Sequence, residues 1–211
     1  MANLPYAITT TSKVKTHLGI SVSTYDAVID TIVNSVTDFI EGYCNRRFLE
    51  TTYTNEIYDG GEPNQVGGFR NKIMLKQFPV SSVTTVEYMS GSYSSPVWNT
   101  LSANFWLLMA KAGYIQSLAG NFARGFQNIR VTYVAGFKID FTSNATEIDP
   151  TKHTLPADIT LVATQLAAKA YDKRFSEGKE REIVEGSQIV WLNELTVEQK
   201  SVLDGYVKHL L

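Results

Sequence analysis

The sequence predicts an α+β fold. Helices from the N- and C-terminal ends pack as one helical core, with a small antiparallel β-sandwich or barrel inserted between them. Three observations predict it. Residues 23–45 carry apolar side chains at spacings of one, three and four, the stripe of an amphipathic helix. From about Tyr53 to Ala135 the apolar period drops to two, which marks strands with one buried face. After Leu155-Pro156 the helical period returns, and after a charged run it returns again in a last helix from Thr196. The expected division is 1–50 for the first part of the helical core and 51–137 for the inserted β-domain. Residues 138–211 supply a linker, the second part of the core and a C-terminal segment.

The first element is a short helix within 9–20, TTTSKVKTHLGI. Val14 and Leu18 share a face, Thr11 or Ser12 caps the start, and Gly19 sits where a left-handed residue ends a helix. The second is the long helix in 23–45. Its stripe is Val28, Ile29, Ile32, Val33, Val36, Phe39, Ile40 and Tyr43, with Asp30, Asn34, Asp38 and Glu41 on wet faces. Ser23 with Asp26 three residues on resembles a capping box in which Asp replaces Glu.

The β-block reads as strands at Tyr53–Tyr58, Ile73–Leu75, Val83–Met89, Pro96–Leu101, Phe105–Met109, Tyr114–Leu118 and Ile129–Ala135. Turn-forming clusters separate them: DGGEPNQVGG, MSGSYSS and AGNFARG. Phe78-Pro79 precedes a strand, where proline is tolerated. In IRVTYVAGF (129–137), Ile129, Val131, Tyr133 and Ala135 face one way and Arg130, Thr132 and Val134 the other; Gly136 then allows a turn.

Residues 138–154 read as a polar linker. Pro156 suits the first position of a helix lined by Ile159, Val162, Leu166 and Ala170, with Ala163, Ala167 and Tyr171 beside them. Lys169, Lys173 and Arg174 lie toward its C-terminal end, where the helix dipole favours cations. The charged run 176–188, SEGKEREIVEGSQ, reads as a solvated loop, or as a segment that orders against a partner. Thr196-Val197-Glu198-Gln199 is a capping box opening a last helix faced by Val202, Leu203, Tyr206 and Leu210.

The bulk numbers narrow the function. Net charge is −2 and 44% of residues are hydrophobic, ordinary for a globular protein. Proteins that grip DNA by its phosphates carry a basic excess, so the charge argues against a sequence-reading DNA binder. The single cysteine, Cys44, forms no internal disulfide and with three scattered histidines builds no zinc site; it reads as a small buried apolar residue. The start, MANLPYAITTT, has no basic segment followed by an apolar run, so no signal peptide is expected. No apolar stretch is long enough to span a membrane, and a cytosolic location is expected.

Catalytic signals are missing. His17, His153 and His209 have no local partner, and the glycine clusters lack the Lys-Ser/Thr of a P-loop. Asp59-Gly60-Gly61-Glu62 has too few ligands for a calcium loop and reads as a hairpin turn. Phe122, Arg124, Phe126 and Arg130 interleave aromatics and arginines as single-strand binders do, but they lead straight into a strand. A second function class stays open: a phage tail or baseplate accessory module whose β-domain binds a ligand, if Tyr93, Trp98 and Trp106 gather in a cleft. An enzyme assembled from distant residues is the third.

Several stretches taken in order resemble a known family: KTHLGI, the helix ending FIEGYCNRRF, YTNEIYDGG, LKQFPVSSVTTVEY, IRVTYVAGF, LPADITLVATQLAAKAYDKR and LTVEQKSVLDGYV. Together, from about residue 9 to 207, they are similar to the head–tail connector proteins of tailed bacteriophages, also called adaptor or head-completion proteins, in the larger form with a β-insert. The first helix is shorter and more polar than the family's pattern, the linker 138–154 is long, and 176–195 matches no motif. The resemblance implies a structural virion protein without catalysis or cofactor. It implies a ring, typically of twelve subunits, beneath the portal at the head–tail joint, made in the host cytoplasm during assembly. Its implied partners are other copies of itself, the portal protein and the next neck or tail-completion protein, with passive contact to genomic DNA in the channel and no membrane. On this reading Trp191, Leu192, Tyr206, Leu210 and Leu211 dock the portal, and Lys179 and Arg181 face the channel.

Overall fold

A computed structural model of the chain describes residues 3–61, 70–141, 151–174, 181–184, 187–190 and 195–207. The chain divides into two compact units: Met1–Phe48 with Ile139–Leu211, and Leu49–Lys138.

The first unit is helical. It contains α1 (Thr11–Leu18), α2 (Asp26–Cys44), α3 (Ala157–Lys173) and α4 (Val197–Asp204). Helices from both ends of the chain pack together: α3 lies against α1, α2 and α4, and α2 also meets α1 and α4. The core joins Ile8, Val14, Ile29, Val33, Ile40 and Cys44 to Ile159, Ala163, Ala167 and Leu203, all fully buried. On α3 the buried face centres on small residues, Thr160, Ala163, Thr164, Ala167 and Ala168; Leu166 is only half-buried and Ala170 is exposed. Small side chains let neighbouring helices approach closely, and Ile159, Val162 and Tyr171 are buried beside them.

The ends follow local chemistry with small shifts. The Thr10 hydroxyl, rather than Thr11 or Ser12, accepts from Lys13 N at 3.2 Å to start α1, and Gly19 at φ 68° ends it. Helix α2 has no side-chain cap: it starts after Tyr25, because Asp26 is turned to the ammonium of Lys15 at 2.7 Å. Pro156 is the residue before α3 rather than its first. The capping box of Thr196 and Gln199 is present in full.

The second unit holds β1 (Thr51–Tyr58), β2 (Lys72–Met74), β3 (Val80–Ser92), β4 (Ser95–Thr100), β5 (Trp106–Met109), β6 (Tyr114–Ser117) and β7 (Ile129–Ala135). They form two antiparallel sheets, ordered β1-β7-β3-β4 and β2-β6-β5. Their inner faces share one core of Ile73, Leu75, Val86, Ile115, Phe122, Ile129, Val131 and Tyr133. Strand β7 shows the alternation its sequence predicts, buried at 129, 131, 133 and 135 and half-buried between. Within the core, Tyr133 donates to Glu56 Oε2 at 2.7 Å, and Tyr58 donates to the same oxygen at 2.5 Å. Burial and these bonds push both phenols well above the ordinary tyrosine range.

Gly136 closes the unit. Its φ is +116°, and a Cβ there would lie 2.6 Å from the Leu49 carbonyl oxygen. The bare backbone lets Leu49 and Phe137 pair in parallel and Glu50 N donate to Phe137 O at 2.8 Å. The chain therefore enters and leaves the β-unit side by side.

Within the charged run and just after it, Arg181–Val184 and Ser187–Val190 pair as antiparallel strands, β8 and β9, rather than forming a loop. Neither REIV nor SQIV alternates apolar with polar residues, so no period of two marks these strands among the charges around them.

Candidate assembly surfaces

No catalytic constellation is formed among the described residues. His17 and His153 line a groove of about 330 Å³ between α1 and the start of α3, with Lys13, Thr160 and Thr164. His153 is buried; its Nδ1 accepts from Asp140 N at 3.2 Å and its ring lies 5.0 Å from that of Phe141. Burial, and then the Lys13 charge, push its pKa below the usual histidine value, which favours the neutral ring. The Thr164 hydroxyl shares a bond of 2.7 Å with that of Thr9. His209 lies outside the described residues. Cys44 is fully buried and burial pushes its thiol up to about 11, which removes it as a nucleophile. No set of three potential metal ligands occurs among the described residues, and no helix there is long and apolar enough to cross a membrane.

Asp59, Gly60 and Gly61, which follow β1, are tied by hydrogen bonds; Glu62 lies outside the described residues. Asp59 Oδ1 accepts from Gln127 N at 2.7 Å, Asn128 Oδ1 accepts from Gly60 N at 2.8 Å, and Gly61 bridges Gly125. These residues bind the segment before β7 rather than forming the expected hairpin turn: β1 pairs with β7, not with the next strand. Among the interleaved residues, Phe122 is buried, and Arg130 is held by both carboxylate oxygens of Glu87, at 2.6 and 3.0 Å, over the face of Trp98. That arginine is neutralised and its pair holds Glu87 below the usual carboxylate range.

The three aromatics of the ligand-module reading stand apart. Tyr93 is exposed in the β3–β4 turn, Trp98 lies under Arg130 on β4, and Trp106 points inward on β5 toward Leu101 O. None of them lines the cavity of about 240 Å³ in the β-unit, whose walls include Val86, Tyr88, Leu101, Phe105, Phe122 and Ile129. Its one carboxylate is Glu87, already committed to Arg130.

Of the residues expected at the portal, Tyr206 alone is described. Its ring lies 6.0 Å from Phe48, and its hydroxyl donates to Asp158 at 2.8 Å, leaving the side chain half-buried after α4. Trp191, Leu192, Leu210, Leu211 and the channel residue Lys179 lie outside the described residues; Arg181 opens strand β8.

The conspicuous surfaces are apolar ones. Successive residues of an α-helix advance by about 100°. On α2 the buried residues Ile29, Val33, Val36, Ile40 and Cys44 share one arc. Val28 and Phe39, 44% and 49% exposed, lie on the neighbouring arc with half-buried Ile32 and Tyr43. The stripe read from the sequence is thus wider than the core it serves. Glu41, expected on a wet face, is buried instead, accepting from Phe48 N at 2.9 Å and from Arg47 at 2.5 Å. Asn34 accepts from Leu4 N, and the N-terminal segment covers that polar face. No periodicity could reveal this, because the covering segment comes from outside the helix.

Residues 7–189 match the head completion protein family. The chain belongs to that family, whose members are structural proteins and not enzymes. No curated protein matches it by sequence. Two solved structures share its fold over the whole chain and 95% of their own. One is from the neck of an empty gene transfer agent particle computed with C6 symmetry, at 14% identity and a TM-score of 0.57. The other is from the virion of a native gene transfer agent particle, at 15% identity and a TM-score of 0.54. A head completion protein needs surfaces rather than a catalytic pocket, and exposed apolar residues on rigid elements are such surfaces.

Proposed function

We propose that this head completion protein forms a ring beneath the portal of a tailed phage or phage-like particle. The ring joins the DNA-filled head to the tail and extends the DNA channel. The observation that carries the reading is the full-length fold shared with a chain of a gene transfer agent neck. Family membership over 7–189 supports it from sequence. A ring of twelve copies is compatible with a six-fold axis such as the one used for that neck. The near-neutral charge suits a channel through which DNA slides, because strong phosphate contacts would hold the genome back. The C-terminal segment, with Trp191, Leu192, Tyr206, Leu210 and Leu211, docks the portal, and Lys179 and Arg181 face the channel.

Electron microscopy of lysates from a phage with a stop codon at Tyr53 tests this. Separate tails beside filled or leaking heads are expected. Intact tailed particles would overturn the reading and favour an accessory ligand-binding module.

A further inference from the structure

We infer that neighbouring copies meet head to tail, the exposed stripe of α2 on one copy packing against the outer face of the β2-β6-β5 sheet on the next. The inference rests on the ring proposed above and names its contact. A heterologous ring contact requires two different, complementary surfaces on one chain. The chain carries such a pair.

The sheet face follows from register. Met74, Tyr114 and Met109 are cross-strand partners, as are Lys72, Gln116 and Leu107, and Leu118 N bonds Phe105 O at 2.8 Å. Partners in antiparallel strands share a face. The opposite face carries Ile73, Ile115 and Leu108 into the core. The outer face therefore shows Met74, Met109 and Leu107 to solvent, with Leu118 just past the end of β6, each at least 40% exposed. The helix stripe of Val28, Ile32, Phe39 and Tyr43 is its counterpart, with exposed Ser35 between Val28 and Phe39 on the same side of the helix.

Charge identifies the occupant. Helix α2 contains Asp26, Asp30, Asp38 and Glu41 and no basic residue. Segments 70–79 and 102–128, which carry the sheet, contain Arg70, Lys72, Lys76, Lys111 and Arg124 and no acidic residue. Beside the stripe stand exposed Asp38, and Asp204, which accepts from Tyr43 at 2.6 Å. Beside the sheet face stand exposed Lys72 and Lys111. Two helix stripes facing one another would bring acids together, and two sheet faces would bring bases together. The helix-to-sheet arrangement alone matches apolar to apolar and acid to base.

Cysteines at Ser35 and Leu107 test the contact, both at exposed positions outside the cores. Native Cys44 is buried and does not interfere. Purified particles are treated with a short bismaleimide and run on denaturing gels. Co-expressed Ser35→Cys and Leu107→Cys chains should link into dimers and no further, and the double variant into a ladder. Either single variant should stay monomeric. Dimers from Ser35→Cys alone would show the stripe meeting itself and overturn the inference. So would particles that contain the chain but give no intermolecular link. Particles lacking the chain would overturn the ring reading together with the contact.

Discussion

The two units lean on polar side chains to different degrees. In the helical unit, buried polar groups tie segments outside the helices, some far away in sequence and some close by, to the helices. Ile8 N donates to Thr37, Thr9 shares a bond with Thr164, and Glu41 accepts from Phe48 N. In the β-unit the backbone ladder does most of that work, helped by side chains such as Asn128, which accepts from Gly60 N, and Tyr58 and Tyr133 converge on one oxygen of Glu56. A sheet carries its long-range connections in its backbone, whereas a helix spends its backbone bonds internally and needs side chains to hold neighbours in place. Side-chain removal should therefore be felt more at the helical tethers, and backbone disturbance more in the β-unit.

The largest expected effect is a backbone one. Gly136→Val meets the Leu49 carbonyl and a positive φ together, and should cost more than about 4 kcal/mol. The tryptophan fluorescence of Trp98 and Trp106 should lose its cooperative unfolding transition. A wild-type transition in this variant would show that the entry and exit strands do not depend on that close approach. Next, Glu41→Ala leaves Phe48 N buried without its acceptor and releases Arg47, and should cost about 2–3 kcal/mol by urea unfolding followed at helical wavelengths. Tyr133→Phe removes one bond to Glu56 while Tyr58 keeps its own, and should cost about 1 kcal/mol. A loss as large as that of Glu41→Ala would erase the contrast between the units.

The smallest effect is a pH dependence. Arg130 depresses Glu87 in the folded state, so the pair's stabilisation is present above the ordinary glutamate value of 4.5 and is lost as pH falls through the lower folded value. Glu87→Gln should remove that part of the acid slope by lowering stability at neutral pH by under about 1 kcal/mol, with little change in acid, where Glu87 is already protonated. Acid titrations of the melting temperature for both proteins check it; identical slopes would show the pair to be electrostatically idle.

Much of this organisation was legible. Apolar periodicity located α2, α3 and all seven strands of the β-unit within a few residues, and the Thr196 capping box placed α4 at its start. These are local properties: period, cap and turn chemistry act over fewer than ten residues. Where local rules competed with distant partners, reading failed. Asp26 serves Lys15 rather than a cap, Glu41 is buried by a loop that follows its helix, and β8-β9 hid among charges.

By itself the sequence determined the α+β class, the alternation of IRVTYVAGF and the membership of a structural family. Those follow from patterns written along the chain. Tertiary structure alone decided which part of the α2 stripe is core and which is surface, because apolar character is local and burial is not. Val28 and Phe39 have the same hydrophobic credentials as Ile29 and Ile40; only the placement of α1, α3 and α4 on one arc of the helix leaves the other open.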